Sequence, residues 1–106
     1  MLNLDTSVKK QFSLQSKNII ITGGAGFLGY YFSEAILEMG GNPIILDKNQ
    51  TAIDKTTESL DRKGYDVSGY KVDLTDNKSV NETIEKIINK NEIIHVLINA
   101  AQSTGE

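Results

Sequence analysis

The sequence predicts an α/β fold with a parallel sheet, and three observations support that prediction. The intervals between short strand-like runs carry apolar residues at helical spacing. A cluster of glycines separates the first run from the first helical interval. The runs themselves are rich in β-branched residues and recur at nearly even spacing: Ile19–Ile21, Ile44–Leu46, Tyr70–Val72 and Ile93–Ile98. Strands that alternate with helices pair in parallel, because each helical crossover returns the chain to the same end of the sheet.

The first interval predicts a helix that follows the first strand. The helix should end at Gly40-Gly41, since glycine commonly terminates helices. Pro43 should then open the second strand, where its missing N–H is tolerated. The predicted apolar face of this helix comprises Leu28, Phe32, Ala35, Ile36 and Met39.

The second and third intervals predict two further helices. In the second interval Asn49 is the expected N-cap and Gly64 the expected residue beyond the C-terminus. In the third interval Asp76 is the expected N-cap. The apolar positions of the two helices are Ile53 and Leu60 in the second interval, and Val80, Ile84, Ile87 and Ile88 in the third. The predicted order of elements is therefore β-α-β-α-β-α-β.

The composition of the 106-residue chain describes one small acidic domain. Apolar residues make up 39% and charged residues 24%, and the formal net charge is -3, which argues against a nucleic-acid surface. No apolar stretch approaches the roughly 20 residues of a membrane span and the first residues lack a secretory signal, so we expect a cytoplasmic protein that does not contact a membrane. The absence of cysteine excludes disulfides, thiolate nucleophiles and Cys-based metal sites, and no other metal-ligand spacing occurs.

The glycine cluster predicts a phosphate-binding turn. It reads Thr22-Gly23-Gly24-Ala25-Gly26-Phe27-Leu28-Gly29, between a predicted strand and a predicted helix. In that context the backbone can approach a pyrophosphate and present helix N-terminal N–H groups to it. The missing Gly-Lys-Ser/Thr excludes a P-loop, and the lack of Lys or Arg between Lys17 and Lys48 leaves the phosphate charge to the backbone. Two registers fit: Gly24, Gly26 and Gly29 as G-x-G-x-x-G, or Gly23, Gly26 and Gly29 as G-x-x-G-x-x-G.

The end of the second strand predicts the choice of cofactor. Right-handed crossovers in a doubly wound arrangement give the strand order 3-2-1-4, with a ligand crevice beyond the carboxyl end of the first strand. Asp47 ends the second strand eighteen residues after Gly29. A carboxylate there accepts hydrogen bonds from the adenosine ribose and repels a 2′-phosphate, which favours NAD over NADP, while the adjacent Lys48 softens the preference. Asp47 could also, or instead, cap the following helix.

Three blocks of sequence carry a resemblance to a known family. They are the glycine turn, Asp73-Leu74-Thr75-Asp76 after the third strand, and Leu97-Ile98-Asn99-Ala100-Ala101 around the end of the fourth. In this order they resemble the N-terminal, NAD(P)-binding part of the short-chain dehydrogenase/reductase family. The resemblance covers about Phe12 to Ala101.

The resemblance implies a Rossmann-like doubly wound sheet and a set of cofactor contacts. Family members place the residue equivalent to Asp73 against the adenine amino group and the backbone of Leu74 beside the adenine ring, while Asn99 and its neighbours follow the nicotinamide-side ribose. The spacing of the glycine turn resembles that of the extended branch, which includes nucleotide-sugar epimerases and dehydratases, whereas the later blocks resemble the shorter branch. The expected cofactor-binding residues are Gly23, Gly26, Phe27, Leu28, Gly29, Asp47, Lys48, Asp73, Leu74, Asn99, Ala100 and Ala101.

The resemblance also implies that the catalytic residues lie elsewhere. Family chemistry uses a Tyr-x-x-x-Lys pair and an upstream serine, and no tyrosine of this chain has a lysine four residues later. We therefore expect no catalytic residue here. Tyr30 and Tyr31 should pack on or cover the first helix, and His95, at the wrong end of the fourth strand, should be structural.

These observations predict an N-terminal arm over residues 1–17 and a partial dinucleotide-binding domain over residues 18–106, truncated after the fourth strand. The expected function is the cofactor-binding half of an NAD(P)-dependent oxidoreductase, inactive alone. The full protein would form a homo-oligomer and pass hydride between nicotinamide and a small carbonyl or alcohol substrate. Two alternatives stay open, an NAD-dependent nucleotide-sugar epimerase or dehydratase and a non-catalytic dinucleotide-binding fragment.

Overall fold

A four-stranded parallel sheet forms the centre of the computed structural model, which describes residues 11–91 and 93–101. The sheet order is β3-β2-β1-β4, and each of the three strand pairs is parallel. The predicted fold class and strand order are confirmed. The elements are β1 (Asn18–Thr22), α1 (Phe27–Glu38), β2 (Asn42–Asp47), α2 (Gln50–Asp61), β3 (Ser68–Lys71), α3 (Asn77–Asn91) and β4 (Val96–Asn99).

Helices cover both faces of the central strands. On one face, Ile87 of α3 packs in a cluster with Ile20, Ile44 and Leu46. On the other face, α2 packs on β2, and α1 packs on β1. The buried residues on this second face are Ile45, Ile53, Leu60 and Val67 in one cluster and Ile19, Ile21 and Ile36 in another. The runs in β1 and β2 are continuously apolar because both faces of these strands are buried.

The helix ends follow the predicted capping residues. Asn49 is the N-cap of α2, and its side chain accepts a hydrogen bond from the Ala52 N–H at 3.1 Å. Asp76 Oδ1 accepts from the Lys78 N–H at 3.0 Å and begins α3. Gly40 and Gly64, which follow α1 and α2, have φ values of 84° and 90°, in the left-handed region that glycine adopts most easily.

The predicted inward face of α1 is correct at Ile36, which is buried, but wrong at three of its five positions. Leu28 and Phe32 are 53% and 38% exposed and Ala35 is also exposed, whereas Gly29 and Ser33 are buried. The reason is the close approach of the helix to the glycine turn. A Cβ placed on Gly29 would lie only 2.5 Å from the Gly24 Cα, so the inward positions of the first turns require small side chains.

The last two strands are shifted from their predicted positions. The third strand begins at Ser68, and the fourth begins at Val96 instead of Ile93. His95 joins this end of β4 to β1, because its N–H donates to the Asn18 carbonyl and its Nδ1 accepts from the Asn18 N–H, both at 2.9 Å. The histidine therefore links two strands at the end of the sheet away from the glycine turn.

The segment before β1 packs on the end of α1. Leu14 belongs to the cluster around Ile19 and Ile36, and its N–H donates to the Met39 carbonyl at 2.9 Å. Residues 1–10 of the predicted arm lie outside the described residues. Tyr30 is half-buried against the α2 cluster, as expected for a packing residue, and Tyr31 lies exposed with its ring 5.1 Å from that of Phe27.

We expect Gly29→Ala to lower the free energy of unfolding by about 2–3 kcal/mol, because the added methyl overlaps backbone atoms that must move apart. Gly26→Ala is the matched control, since a Cβ there meets only the Gly23 carbonyl oxygen, at 3.3 Å. Urea denaturation of the two variants measures the difference. Equal stabilities would contradict the close packing of α1 on the turn.

Candidate functional site

An open crevice of about 860 Å³ lies at the carboxyl ends of the strands. Every predicted cofactor-binding residue except Gly29 lines it, and Gly29 instead lies buried beneath the glycine turn. Three lining residues were not predicted. The lining comprises Gly23, Gly26, Phe27, Leu28, Leu46, Asp47, Lys48, Val72, Asp73, Leu74, Thr75, Asn99, Ala100 and Ala101.

Packing explains the first two glycines of the turn. Gly23 has a φ of 67°, and a Cβ there would lie 2.8 Å from the Ala101 backbone. A Cβ on Gly24 would lie 2.9 Å from both the Ile21 carbonyl oxygen and Ile45 Cγ2. Of the two, only Gly23 lines the crevice.

Packing does not explain Gly26. Its φ of -80° and ψ of -179° are extended values that any residue adopts, and a Cβ there would make one close contact, 3.3 Å from the Gly23 carbonyl oxygen. Gly26 is exposed, lines the crevice and immediately precedes the first residue of α1. The first N–H groups of a helix have no partner within it. The turn therefore fits an anionic group that approaches the backbone closely, as a pyrophosphate does.

Asp47 joins the turn to the neighbouring strand and helix. Its Oδ2 accepts a hydrogen bond from the Ala25 N–H at 3.2 Å, and its Oδ1 accepts from the Asn49 N–H at 3.0 Å. Its backbone carbonyl accepts from the Val72 N–H at 2.9 Å. The carboxylate is half-buried on the crevice wall.

Asp73, just beyond β3, lines the crevice as a carboxylate. The Thr75 hydroxyl donates to its Oδ1 at 2.7 Å and the Thr75 N–H donates to the same atom at 2.9 Å. These two bonds, with a smaller contribution from the charge of Lys48, hold the pKa of Asp73 below its ordinary value. Leu74 beside it is 43% exposed and offers an apolar surface to a ring.

Asn99 is fixed at the end of β4 by its neighbour on β1. The Thr22 hydroxyl donates to the Asn99 side-chain oxygen at 2.6 Å, and the Ala100 N–H donates to the Thr22 carbonyl at 3.0 Å. The carboxamide oxygen is thus engaged with the sheet, and the NH₂ group remains as a donor at the crevice.

The three unpredicted lining residues have identifiable signals. Leu46 and Val72 are buried and immediately precede Asp47 and Asp73, so they form the floor below the two carboxylates. Thr75 follows Asp73 by two residues, a spacing at which Asp side chains accept from the nearby backbone. None of the helices within residues 11–91 and 93–101 is long and apolar enough to span a membrane. The same residues contain no cluster of three His, Asp or Glu side chains that would suit a metal.

Comparisons with known proteins agree on one family. The family model described as short chain dehydrogenase matches residues 17–105. The chain is 32% identical over 98 residues to short chain dehydrogenase/reductase dpchG of Colletotrichum higginsianum, covering 92% of this chain and 37% of that protein. The crystal structure of 2-keto-3-deoxy-D-gluconate dehydrogenase from Streptococcus agalactiae superposes with a TM-score of 0.86 at 29% identity, covering 93% of this chain and 37% of that one.

Two other similar structures are of enzymes with different cofactors, NAD+ in one and NADPH in the other. One is NAD+-bound xylitol dehydrogenase, with a TM-score of 0.74 at 26% identity, covering 79% of this chain and 32% of that one. The other is an NADPH-dependent 3-quinuclidinone reductase from Rhodotorula rubra, with a TM-score of 0.76 at 28% identity, covering 92% of this chain and 37% of that one. The chain spans between 30% and 38% of the length of the curated relatives it matches.

We expect Thr75→Val to raise the pKa of Asp73 toward its ordinary value near 3.8, because the hydroxyl bond that favours the carboxylate is lost. A lowered pKa stabilises the fold at pH values above the ordinary one and loses that contribution as the pH falls through the lowered value, so the variant should be less sensitive to acid in this window. NMR titration of the Asp73 carboxyl carbon measures the pKa directly. Thr75→Ser, which keeps the hydroxyl, is the control, and an unchanged pKa in Thr75→Val would contradict the assignment.

Proposed function

Because the chain belongs to the short-chain dehydrogenase/reductase family, we propose that it binds the dinucleotide cofactor of an oxidoreductase and prefers NAD. Gly26 carries this proposal. It is the one glycine of the turn that neither φ nor packing demands, and it lies exposed in the crevice at the N-terminus of α1. A residue type that the free fold does not need, at a helix N-terminus, is accounted for by the close approach of a pyrophosphate.

The proposed contacts divide the crevice by chemistry. The backbone of the glycine turn and the first turn of α1 bind the pyrophosphate. Asp47 accepts from the adenosine ribose hydroxyls, Asp73 accepts from the adenine amino group and Leu74 packs against the adenine ring. Asn99, Ala100 and Ala101 follow the nicotinamide-side ribose. This assignment is supported by the arrangement of these residues around one crevice.

The proposed mechanism gives this chain an orienting role. The nicotinamide cofactor, when bound, supplies the hydride chemistry of the family. The residues of this chain bind the adenosine side of the cofactor. Asn99, whose side chain is held by Thr22, lines the crevice at the end of β4. Proton transfer and substrate contacts then belong to other parts of the protein, since no Tyr-x-x-x-Lys occurs in the sequence.

Activity, substrate and assembly of the whole protein are part of the proposal. We propose a cytoplasmic, homo-oligomeric dehydrogenase or reductase that acts on a small carbonyl or alcohol. The named relatives support this reading because they are dehydrogenases and reductases. The glycine spacing is the one feature shared with the epimerase and dehydratase branch.

The binding proposal predicts that Gly26→Val weakens NAD binding strongly while the protein stays folded. The branched side chain occupies the approach to the backbone and removes one N–H bond to phosphate. Since such charged bonds contribute about 1.5–3 kcal/mol each, the affinity should fall by roughly 10- to 100-fold. Isothermal titration calorimetry with NAD measures the affinity, and a melting curve of each protein reports folding. Ala35→Val, at an exposed position of α1 outside the crevice, is the control, and unaltered NAD affinity in Gly26→Val would contradict the proposal.

The charge of Lys48 should affect the choice between NAD and NADP. It is the sole cation among the lining residues of the crevice and adjoins Asp47. We expect Lys48→Ala to weaken NADP binding by about fivefold, the effect of one exposed charge on a 2′-phosphate, and to leave NAD binding nearly unchanged. Calorimetric titration with each cofactor gives the two affinities. An equal loss for both cofactors would show that Lys48 contacts a group that they share.

A further inference from the structure

Asp47 makes more contacts than ribose recognition requires. Its three oxygen atoms accept hydrogen bonds from three segments: Ala25 in the glycine turn, Asn49 at the N-cap of α2, and Val72 just beyond β3. Two of these acceptors are the carboxylate oxygens. The side chain therefore connects the turn before α1 to the start of α2.

The contact with Ala25 matters because the glycine-rich backbone of the turn is intrinsically flexible. Glycine-rich backbone loses more conformational freedom on ordering than any other, so the turn needs bonds to neighbouring elements to keep one shape. Two hydrogen bonds join it to β2: the Gly24 N–H donates to the Leu46 carbonyl, and the Ala25 N–H donates to Asp47 Oδ2, both at 3.2 Å. Only the second depends on a side chain.

The carboxylate has room for both roles. An ionised carboxylate offers about four lone-pair sites, of which the Ala25 and Asn49 N–H groups use two. Two sites remain for the two hydroxyls of a ribose. Loss of the side chain would leave the Ala25 N–H, in a half-buried stretch of backbone, without this acceptor.

We propose that Asp47 is a positioning residue for the glycine turn, so that it supports pyrophosphate binding independently of any contact with the ribose. This inference rests on the proposed function, because it assumes that the turn binds the pyrophosphate. The positioning role differs from ribose recognition in one measurable respect. A residue that only recognises ribose hydroxyls has no effect on a ligand that lacks them, whereas a residue that positions the turn affects any ligand with a pyrophosphate.

The test uses ADP and 2′,3′-dideoxy-ADP as ligands for the unmodified chain, Asp47→Ala and Asp47→Asn. The two variants lose the same negative charge, which removes the difference in repulsion from the phosphates. Asp47→Asn keeps an oxygen that can accept the Ala25 N–H, and Asp47→Ala does not. We expect Asp47→Ala to bind 2′,3′-dideoxy-ADP about fivefold more weakly than Asp47→Asn does, the effect of one lost hydrogen bond. Asp61→Ala, at the exposed far end of α2, controls for a change in net charge alone.

Amide hydrogen exchange of the free proteins provides a readout that needs no ligand. We expect the Ala25 amide to exchange about tenfold faster in Asp47→Ala than in Asp47→Asn, while the Leu46-bonded amide of Gly24 serves as the internal reference. Equal affinities of the two variants for 2′,3′-dideoxy-ADP would overturn the proposal even if exchange differs, because the turn would then bind without this bond. If the unmodified chain binds neither nucleotide, the proposed function fails, and the Ala25 exchange rate alone decides whether Asp47 holds the turn. If Asp47→Ala does not fold, Asp47→Ser takes its place in the exchange experiment. The expected result is then faster exchange of the Ala25 amide in Asp47→Ser than in Asp47→Asn.

Discussion

The close approach of α1 to the turn that follows β1 is the constraint on which the rest of the structure depends. Backbone atoms of the turn lie so near Gly29 that a Cβ there would be 2.5 Å from the Gly24 Cα, and a Cβ on Gly23 would be 2.8 Å from the Ala101 backbone beyond β4. The turn is thus enclosed between the first turn of α1 and the end of β4. This enclosure directs the N-terminus of α1 toward the crevice and brings the ends of β1, β2 and β4 around it.

The electrostatic character of the crevice follows from that geometry. The turn contains no cation, and the two carboxylates of Asp47 and Asp73 face the crevice with Lys48 as the sole cation in its lining. In an acidic chain of net charge -3, long-range attraction of a phosphate is therefore weak. Under the proposed function, phosphate binding depends on short, directional N–H bonds at the helix N-terminus, which act only when the backbone is correctly placed. For such binding the shape of the turn matters more than its charge, so residues that hold this shape contribute to affinity without contacting the ligand.

The sequence predicted most of the fold and nearly all of the crevice, because both follow from local rules. Alternation of strand and helix implies a parallel sheet, and right-handed crossovers restrict its order, so β3-β2-β1-β4 needed no long-range information. Residues at strand ends, such as Asp47, are collected at one edge by that topology. Thr75 was missed because its contribution is a hydrogen bond to Asp73, which depends on the conformation of the loop after β3 and not on strand or helix periodicity.

Apolar residues of α1 and β4 are exposed for different reasons. At α1 the close approach of the helix to the glycine turn admits only small inward side chains, whereas β4 has too few neighbouring elements to cover it. Periodicity identifies residues whose chemistry suits burial, but it does not say which other elements are present to bury them. Leu28 on α1 and Leu97 on β4 are 53% and 63% exposed, although their types are those of a core. Within the described residues β4 pairs with β1 alone, and a parallel strand is fully buried only when it has neighbours and helices on both faces. The chain spans 37% of the length of the two relatives named first above, so those proteins contain further residues outside the aligned part. A core predicted from sequence pattern is therefore reliable at β1 and β2, which the described helices cover, and overestimates burial where that cover is incomplete.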